Sequence, residues 1–279
     1  MPELPEVEAV AHTLRPLVVG KTIQCVHVLH PIAIKPQEPT KLVRDTGLQV
    51  IQAVTRRGKY LLLELGRGFL SLHFRFDGHL LWFSGVRELM EKANQPPYKI
   101  HVDVAFELDS GVLGFADRRH FGRVHFFESL DVSNGLKSLG VDALSNGFTK
   151  QNFAALLAES RRPLKEFLLD QTRVAGIGNI YSCESMWHAK LDPGRRADSL
   201  SAIEAARLHK AIVSVLRRAL ECCLHPAPDF RDPSWWFQGL EQILRAYGLE
   251  DHPCERCGKP IRRIKQSGRS TYFCEHCQK

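Results

Sequence analysis

The chain has 279 residues, of which 44% are hydrophobic and 25% charged, with a formal net charge of +7. This length and composition are typical of globular protein and leave room for two domains with separate cores. No apolar run approaches the roughly 20 residues of a transmembrane helix and nothing at the N-terminus resembles a signal peptide. We therefore expect no membrane partner, a cytoplasmic location and reduced cysteines.

The first six residues, Met-Pro-Glu-Leu-Pro-Glu, indicate that the chain terminus can be the catalytic group. Loss of Met1 leaves Pro2 with a free secondary amine. An α-amino group has a pKa near ~7.7–8.0 rather than the ~10.4 of a lysine, so far more of it is an unprotonated nucleophile at neutral pH. Such an amine forms a Schiff base with a carbonyl carbon. Glu3 and Glu6 are close enough in sequence to act as acids or bases. The structural alternative is a proline-rich start followed by a helix cap.

A β-rich region follows this start, over residues 1–130. An amphipathic helix is predicted at 6–17, with Gly20 just past its end. Runs rich in β-branched and aromatic residues then predict strands at 22–29, 48–55, 59–65, 69–83, 101–108, 112–115 and 123–128. Strands at this density predict a β-sandwich or a flattened barrel.

A loop or hairpin between the last two predicted strands carries Asp-Arg-Arg-His-Phe-Gly at 117–122. An exposed loop with an arginine beside an aromatic ring can enter a DNA duplex. The ring then fills the stack that a base has vacated, and the guanidinium bonds the orphaned partner. A charged turn with Phe121 packed inward explains the same residues, and the sequence leaves both open.

The middle region, residues 131–235, changes to a helical period. Helices are predicted at 149–159, 163–170, 180–188 and 201–222. Gly-Ile-Gly-Asn at 176–179 interrupts them. Glycines let the backbone approach a phosphate, and the helix that follows offers unpaired N–H donors. Two helices joined in this way can clamp a DNA backbone, although most glycine turns are only turns.

The last region, residues 236–279, contains two Cys-x-x-Cys pairs, separated by sixteen residues. This spacing predicts one structural zinc ion held by four thiolates, which leaves no open position for chemistry. The segment 254–279 has seven Lys or Arg against two Glu, a local charge of +5. A basic module in a protein of pI about 9.0 indicates nucleic-acid binding. The ligands are Cys254, Cys257, Cys274 and Cys277.

Five motifs in register resemble the formamidopyrimidine-DNA glycosylase/endonuclease VIII family of base-excision repair enzymes, over essentially the whole chain. They are Pro-Glu-Leu-Pro-Glu-Val-Glu at 2–8, Arg-Gly-Lys-Tyr at 57–60, Arg119 with Phe121-Gly122, Gly-Ile-Gly-Asn at 176–179 and the four-cysteine finger. The resemblance implies an α+β fold of two domains. One is a β-sandwich that carries the N-terminal helix. The other is a helix–two-turn–helix domain with a zinc finger.

The resemblance also implies roles for matching residues. Pro2 attacks C1′ of the damaged nucleoside, Glu3 acts as general acid and base, Glu6 supports it, and Lys59 contacts a phosphate near the lesion. The Schiff base drives β- and δ-elimination. The partner is damaged double-stranded DNA, bound by a monomer in a bacterial-type, nucleoid-associated location. The DNA-contacting residues carried over are His73, Phe76, Arg119, Phe121, Lys165, Asn179 and Arg269.

The opening motif is closer to the formamidopyrimidine/8-oxoguanine branch, so oxidised purines are the expected substrates. Several positions depart from that branch. Phe76 replaces a void-filling methionine, Asp77 adds negative charge close to DNA, His120 replaces an arginine and Leu249 another, and the lesion-covering loop at about 222–237 is proline-rich. A stiff ring is less adaptable than a thioether, and proline restricts the loop. These departures predict a changed lesion or opposite-base preference. A divergent paralogue that acts on oxidised pyrimidines or other lesions, and a lesion-binding protein with little turnover, stay open as alternatives.

Overall fold

The computed structural model describes residues 2–93, 95, 100–232 and 239–279. The chain divides into two compact units. One comprises Met1–Lys137 with Cys223–Gln238, and the other comprises Ser138–Cys222 with Gly239–Lys279. The domain ranges expected from sequence, 1–130, 131–235 and 236–279, stay predictions.

The first unit is built on two four-stranded antiparallel sheets. Its strands are β1 (Ile23–Val28), β2 (Ile51–Arg57), β3 (Tyr60–Leu65), β4 (Phe69–His73), β5 (Gly78–Phe83), β6 (Val102–Leu108), β7 (Gly111–Asp117) and β8 (Arg123–Phe127). One sheet has the order β1-β6-β7-β5 and the other β2-β3-β4-β8. Helix α1 (Leu4–Val18) packs on β2 and β3.

The core of this unit lies between the two sheets. Alternate residues of β3, such as Leu61 and Leu63, share one buried cluster with Val104 and Phe106 of β6. Period-two alternation of this kind puts one face of each strand into the core. Helix α1 adds its apolar stripe to the same cluster, including Leu14. Burying each such side chain contributes roughly 1.5–3 kcal/mol. The predicted β-sandwich with an N-terminal helix is confirmed.

Two local features of the first unit differ from expectation. The predicted strand 69–83 is two strands in different sheets, because the chain turns sharply at Arg75, where φ is +54°. A non-glycine residue at positive φ is uncommon, but the Asp77-Gly78 dipeptide at the end of this turn is a common turn signal in the sequence. Short helices α2 (Pro39–Thr46) and α3 (Val86–Ala93) are the second difference. Leu89 of α3 covers the outer face of the β1-β6-β7-β5 sheet.

The second unit is mainly helical, as the change of period predicts. Its elements, after the short α4 (Asn134–Lys137) of the first unit, are β9 (Val141–Asp142), α5 (Lys150–Ala158), α6 (Leu164–Leu169), β10 (Val174–Ala175), α7 (Asn179–Ala189), α8 (Ala202–Leu224), β11 (Arg262–Gln266) and β12 (Arg269–Phe273). Short 3-10 helices cover Pro31–Ile34, Leu130–Val132, Ala197–Ser199 and Leu240–Gln242. Within the described ranges, no helix is both long and apolar enough to cross a membrane.

Candidate active site and nucleic-acid interface

The start of α1 holds the three predicted terminal residues of the active site. The Glu6 carboxylate accepts a hydrogen bond from the backbone N–H of Glu3 at 2.8 Å, which completes a capping box. Glu3 and Glu6 are both buried, and so is Pro2. A capping box satisfies orphan donors at the helix start and fixes where the chain enters it. Met1 lies outside the described residues. The interpretation of these residues as a helix cap is therefore correct. The cap also fixes the position of the first residues.

Lys59 and His73 lie at one end of the β2-β3-β4-β8 sheet. Lys59 follows Gly58, whose φ of +58° turns β2 into β3, and the side chain of Lys59 is largely buried. His73 is the cross-strand partner of Tyr60, with ring centroids 4.5 Å apart. Burial, with smaller contributions from Arg75 and Lys59, lowers the pKa of His73 from 6.5 to about 3. His73 is therefore neutral at physiological pH, and its Nδ1 accepts the N–H of Arg75 at 3.1 Å.

The loop between β7 and β8 is held in place by Asp117, the last residue of β7. Its buried carboxylate accepts two backbone N–H groups of the loop, from Arg119 at 2.8 Å and from Gly122 at 2.6 Å. Gly122 is required at its position, since a Cβ there would lie 2.5 Å from the ring of Phe115. Hydrogen bonds to a charged acceptor are among the stronger ones in proteins. The loop therefore presents its tip from a rigid base.

The tip of this loop gathers the residues expected to enter DNA. Phe121 is 47% exposed and Phe76 49%, and their rings meet edge to face at 5.7 Å. The Arg119 guanidinium lies 5.1 Å from the centre of the Phe76 ring and 5.5 Å from that of Phe121. The Arg119 Nε is 2.5 Å from Asp77 Oδ2. The alternative of Phe121 packed inward is wrong. Arg119, which is expected to contact DNA, is held by an acidic partner.

In the second unit, Asn179 and Arg269 lie on neighbouring elements. Asn179 is the first residue of α7, behind the N-cap Gly178, and its Nδ2 donates to the carbonyl of Ser270 at 3.0 Å. Its Oδ1 is buried without a hydrogen-bond partner. Arg269, next to Ser270, is exposed where the hairpin turn, Ser267-Gly268, enters β12. Asn179 is therefore hydrogen-bonded to the residue next to Arg269.

Lys165 has a different position from the expected one. Its side chain is fully buried, and Nζ donates to the carbonyl of Asn179 at 3.2 Å and to Ser182 Oγ at 2.7 Å. A fully buried amine has no surface with which to meet a phosphate. The expected direct contact with DNA is therefore disfavoured by this placement. What Lys165 does in this structure is fix the first turn of α7, and with it Asn179.

Glu184 is a positioning residue that the motifs did not single out. It is buried on α7 and accepts three consecutive backbone N–H groups, from Arg245, Ala246 and Tyr247, at 2.8–2.9 Å. Burial raises the pKa of Glu184, and the three hydrogen bonds oppose that rise. This carboxylate ties α7 to the segment that leads into the four-cysteine module. The sequence signals this role of Glu184 only by a glutamate inside a predicted helix.

The four cysteines come together as predicted. Their Sγ atoms all lie within 4.8 Å of one another, and Cys257 Sγ is 3.5 Å from Cys274 Sγ. Each pair forms a matching turn, in which the N–H of the second cysteine donates to the carbonyl of the first at 3.2 Å. Four thiolates about a tetrahedral zinc ion at 2.3 Å would be about 3.8 Å apart, so this donor set fits a metal of that kind. The four cysteines therefore form a metal-binding site. The remaining cysteines, at 25, 183, 222 and 223, lie outside this group.

Comparison with known proteins agrees with this architecture. Residues 1–124 match the formamidopyrimidine-DNA glycosylase N-terminal domain, residues 139–224 the formamidopyrimidine-DNA glycosylase H2TH domain, and residues 251–279 the zinc finger found in FPG and IleRS. A formamidopyrimidine-DNA glycosylase of Pelotomaculum thermopropionicum is 38% identical, with 100% of this chain and 99% of the relative covered. One of Symbiobacterium thermophilum is 39% identical over 100% of this chain and 89% of the relative.

Solved structures agree as well. A Lactococcus lactis formamidopyrimidine-DNA glycosylase bound non-covalently to DNA containing an AP site matches with a TM-score of 0.85 and 30% identity, over 100% of both chains. A complex of the wild-type Lactococcus lactis enzyme with DNA containing an oxidised pyrimidine gives 0.86, also at 30% identity and full coverage. Fold, site and matches together define a DNA-binding glycosylase of base excision repair with a four-cysteine metal module.

The chain belongs to the formamidopyrimidine-DNA glycosylase family. The predicted family, fold class and enzyme type are confirmed.

Proposed function

We propose that this chain is a bifunctional DNA glycosylase and AP lyase that removes oxidised purines, 8-oxoguanine and formamidopyrimidines, through a Schiff base on Pro2. One observation carries the proposal. The capping box between Glu3 and Glu6 fixes the first residues of the chain at the start of α1, so the terminal nitrogen has a defined position. A positioned nucleophile avoids the entropy cost of an encounter, which is a large part of a bimolecular barrier. The proposal requires removal of Met1, because an amide nitrogen at Pro2 cannot attack.

In the proposed reaction the Pro2 nitrogen attacks C1′ and the N-glycosidic bond breaks, with its electrons leaving on the base, which takes up a proton. The ring oxygen takes up another proton as the sugar opens, the amine proton is lost, and an iminium forms between Pro2 and C1′. Glu3 is the acid and base at the sugar ring and the departing base. The iminium is an electron sink that acidifies the C2′ hydrogen. Transfer of the C2′ proton to a base expels the 3′ phosphate in β-elimination, and transfer of the C4′ proton then expels the 5′ phosphate in δ-elimination. Glu6 supports Glu3 through the capping box.

The proposed partner is damaged double-stranded DNA bound by a monomer. Lys59 and His73 would face its backbone in the first unit, with Phe76, Arg119 and Phe121 in the gap left by the flipped nucleotide. In the second unit, Asn179 and Arg269 would grip the backbone. One structural zinc ion on the four cysteines would hold the β11–β12 hairpin that carries Arg269. The role of Lys165 would be to position Asn179. A location with the nucleoid follows from this substrate and stays a prediction.

A second candidate, excision of oxidised pyrimidines, is favoured by the tip of the β7–β8 loop. Phe76 packs on Phe121 and on Arg119. The void-filling position is therefore occupied by a stiff ring inside a three-residue cluster rather than by a flexible side chain. A cluster of this kind would fill a different volume beside the opposite base. It would shift the preference between lesions without changing the chemistry at Pro2.

Excision assays on matched duplexes test the proposal. We expect cleavage of 8-oxoguanine opposite cytosine, with both ends of the gap phosphorylated, and loss of at least about 100-fold in Glu3→Gln, the scale of a lost acid–base group. Glu8→Gln is the matched control, since Glu8 lies on α1 and its carboxylate pairs with Arg56 at 2.7 Å. Cleavage of oxidised pyrimidines alone would favour the second candidate. Tight binding with no cleavage of either lesion or of an abasic site would show a lesion-binding protein.

A further inference from the structure

A cluster of histidines surrounds a buried carboxylate beneath the β7–β8 loop. Asp103 of β6 is fully buried, and its Oδ1 lies 2.6 Å from His120 Nδ1. His30, which follows β1, approaches from the other side, with its ring 5.0 Å from that of His120. One ligand atom from each of the three side chains lies within 4.8 Å of the others. The ring of His101 stacks on His120 at 5.5 Å and borders the group.

Backbone hydrogen bonds fix the positions of these side chains. The carbonyl of Asp103 accepts the N–H of His30 at 3.0 Å, and the N–H of His120 donates to the carbonyl of Asp117 at 3.3 Å. His120 adopts the left-handed conformation, with φ of +54°, which is uncommon outside glycine and costs energy unless the surroundings hold it. The three side chains are therefore brought together by the β1, β6 and loop backbones, and not by chance contact at a surface.

One atom in the cluster is unexplained by the protein alone. Asp103 Oδ2 is buried and has no hydrogen-bond partner. An unsatisfied buried carboxylate oxygen is costly, and buried charges are normally paired or coordinate a metal. Two imidazoles and a carboxylate are ligands that divalent ions of borderline softness take in proteins. Since His30 is exposed, the group is open to solvent on one side, which gives an ion a way in and leaves a coordination position for water.

We propose that His30, Asp103 and His120 form a second metal site, separate from the four cysteines, for a divalent transition ion such as Zn²⁺ or Co²⁺. The ion would pair the orphaned Asp103 oxygen and link β1 and β6 to the loop. The neighbours of His120 in sequence are Arg119 and Phe121, at the tip described above. Metal binding would thereby restrain the backbone of the part of the loop that presents these two side chains.

A rival cluster in the same unit does not have these properties. Cys25, His27 and Glu107 also bring three ligand atoms within 4.8 Å. Its groups are all exposed or half-buried, and His27 Nε2 is already 3.3 Å from Glu107 Oε2. Within the described part of the chain, this second cluster has no buried side-chain nitrogen or oxygen atom without a hydrogen-bond partner. The cluster serves as an internal control, because Co²⁺ bound to its thiol would show a thiolate charge-transfer band.

Co²⁺ titration of the full-length protein, loaded with a single equivalent of zinc for the four cysteines, tests the proposal. We expect one further equivalent of Co²⁺, with visible d–d bands and no thiolate charge-transfer band. His30→Gln should weaken this binding by more than about 100-fold, since even second-shell changes cost 10- to 100-fold. His120→Asn, which tolerates the left-handed conformation, should do the same. His12→Gln, an exposed histidine of α1, and His27→Gln should bind like the wild type.

Several results would overturn the proposal. These are no binding beyond the four-cysteine site, binding that survives both His30→Gln and His120→Asn, and binding that is lost in His27→Gln or shows a thiolate band. Thermal melting of each variant in the absence of Co²⁺ separates loss of the site from loss of the fold. His30 is exposed, so His30→Gln should melt like the wild type.

Discussion

Asp77 restrains the arginine that is expected to enter the duplex, so replacing Asp77 should improve DNA binding. Arg119 Nε lies 2.5 Å from Asp77 Oδ2. If Arg119 moves onto DNA, this ion pair breaks, and the cost of breaking it makes the free energy of DNA binding less favourable. The substitution Asp77→Asn keeps the shape of the side chain and removes its charge.

The size of the effect follows from the exposure of the pair. The side chains of Arg119 and Asp77 are 48% and 38% exposed, and ion pairs of this kind are worth about 0.2–1 kcal/mol. Asp77→Asn should therefore tighten binding to a duplex with a stable abasic-site analogue by about 1.4- to 5-fold, at 1.4 kcal/mol per factor of ten. Less than about 1 kcal/mol should be lost from the free energy of unfolding.

The assay is a double-mutant cycle of dissociation constants at fixed salt. Arg119→Gln alone should weaken binding, and Asp77→Asn added to it should bring no further gain, because the restrained group is absent. Asp109→Asn is the matched control, since Asp109 is 39% exposed and pairs with Lys21 at 3.7 Å in the same unit. An equal gain with and without Arg119 would refute the reasoning, because the gain would then reflect only a lost negative charge. Weaker binding by Asp77→Asn would refute it as well.

Three further predictions concern the parts that hold the site. Asp117→Ala removes two hydrogen bonds to a buried carboxylate, so it should lower the free energy of unfolding by about 3–6 kcal/mol, and an undisturbed denaturant midpoint would contradict that. His73, with its pKa lowered to about 3, should stay neutral in NMR titrations down to about pH 4. The folded state then binds fewer protons than the unfolded one, so this group makes the free energy of unfolding decrease as the pH is lowered from about 6.5 to 3. An imidazole that titrates near 6.5 would contradict it. Removing the metal from the four cysteines, by a chelator or by Cys274→Ser, should unfold the β11–β12 hairpin and weaken DNA binding, measured by circular dichroism and fluorescence anisotropy. Unchanged binding by metal-free protein would contradict that role.

Much of the fold could be predicted because its signals are local. The apolar run in 59–65 predicts the strand that carries Leu61 and Leu63 into the core, and the spacing of Cys254, Cys257, Cys274 and Cys277 predicts the four-sulfur cluster. Asp77-Gly78 signals a turn inside the predicted strand 69–83, whereas the positive φ of Arg75 could not be predicted, because it is uncommon for a non-glycine residue. Helix α3 was missed because it has only eight residues; most of them are good helix formers, but a helix this short needs packing on a sheet to be stable.

The candidate site was predictable to a similar degree. Motifs identified the start of α1 and the tip of the β7–β8 loop, and the structure gives both a defined geometry. Motifs did not show that Lys165 is buried, because burial depends on how α6 packs on α7. They also did not show that Asp103 and His30 meet His120, since these residues are distant in sequence and are joined by the register of β1 with β6 and by the β7–β8 loop. The residues 233–238 of the proline-rich loop fall outside the described part of the chain. Phe230, ahead of them, is buried in the core of the first unit.

Borohydride trapping tests the central claim, the Schiff base on Pro2, most directly. The purified protein is mixed with a duplex containing 8-oxoguanine opposite cytosine, reduced, and analysed by intact mass and peptide mapping. We predict a covalent adduct on a chain that lacks Met1, mapped to the N-terminal peptide at Pro2, and its loss when an N-terminal extension turns that nitrogen into an amide. An adduct mapped to a lysine, or cleavage of the strand by the extended protein at the wild-type rate, would contradict the account.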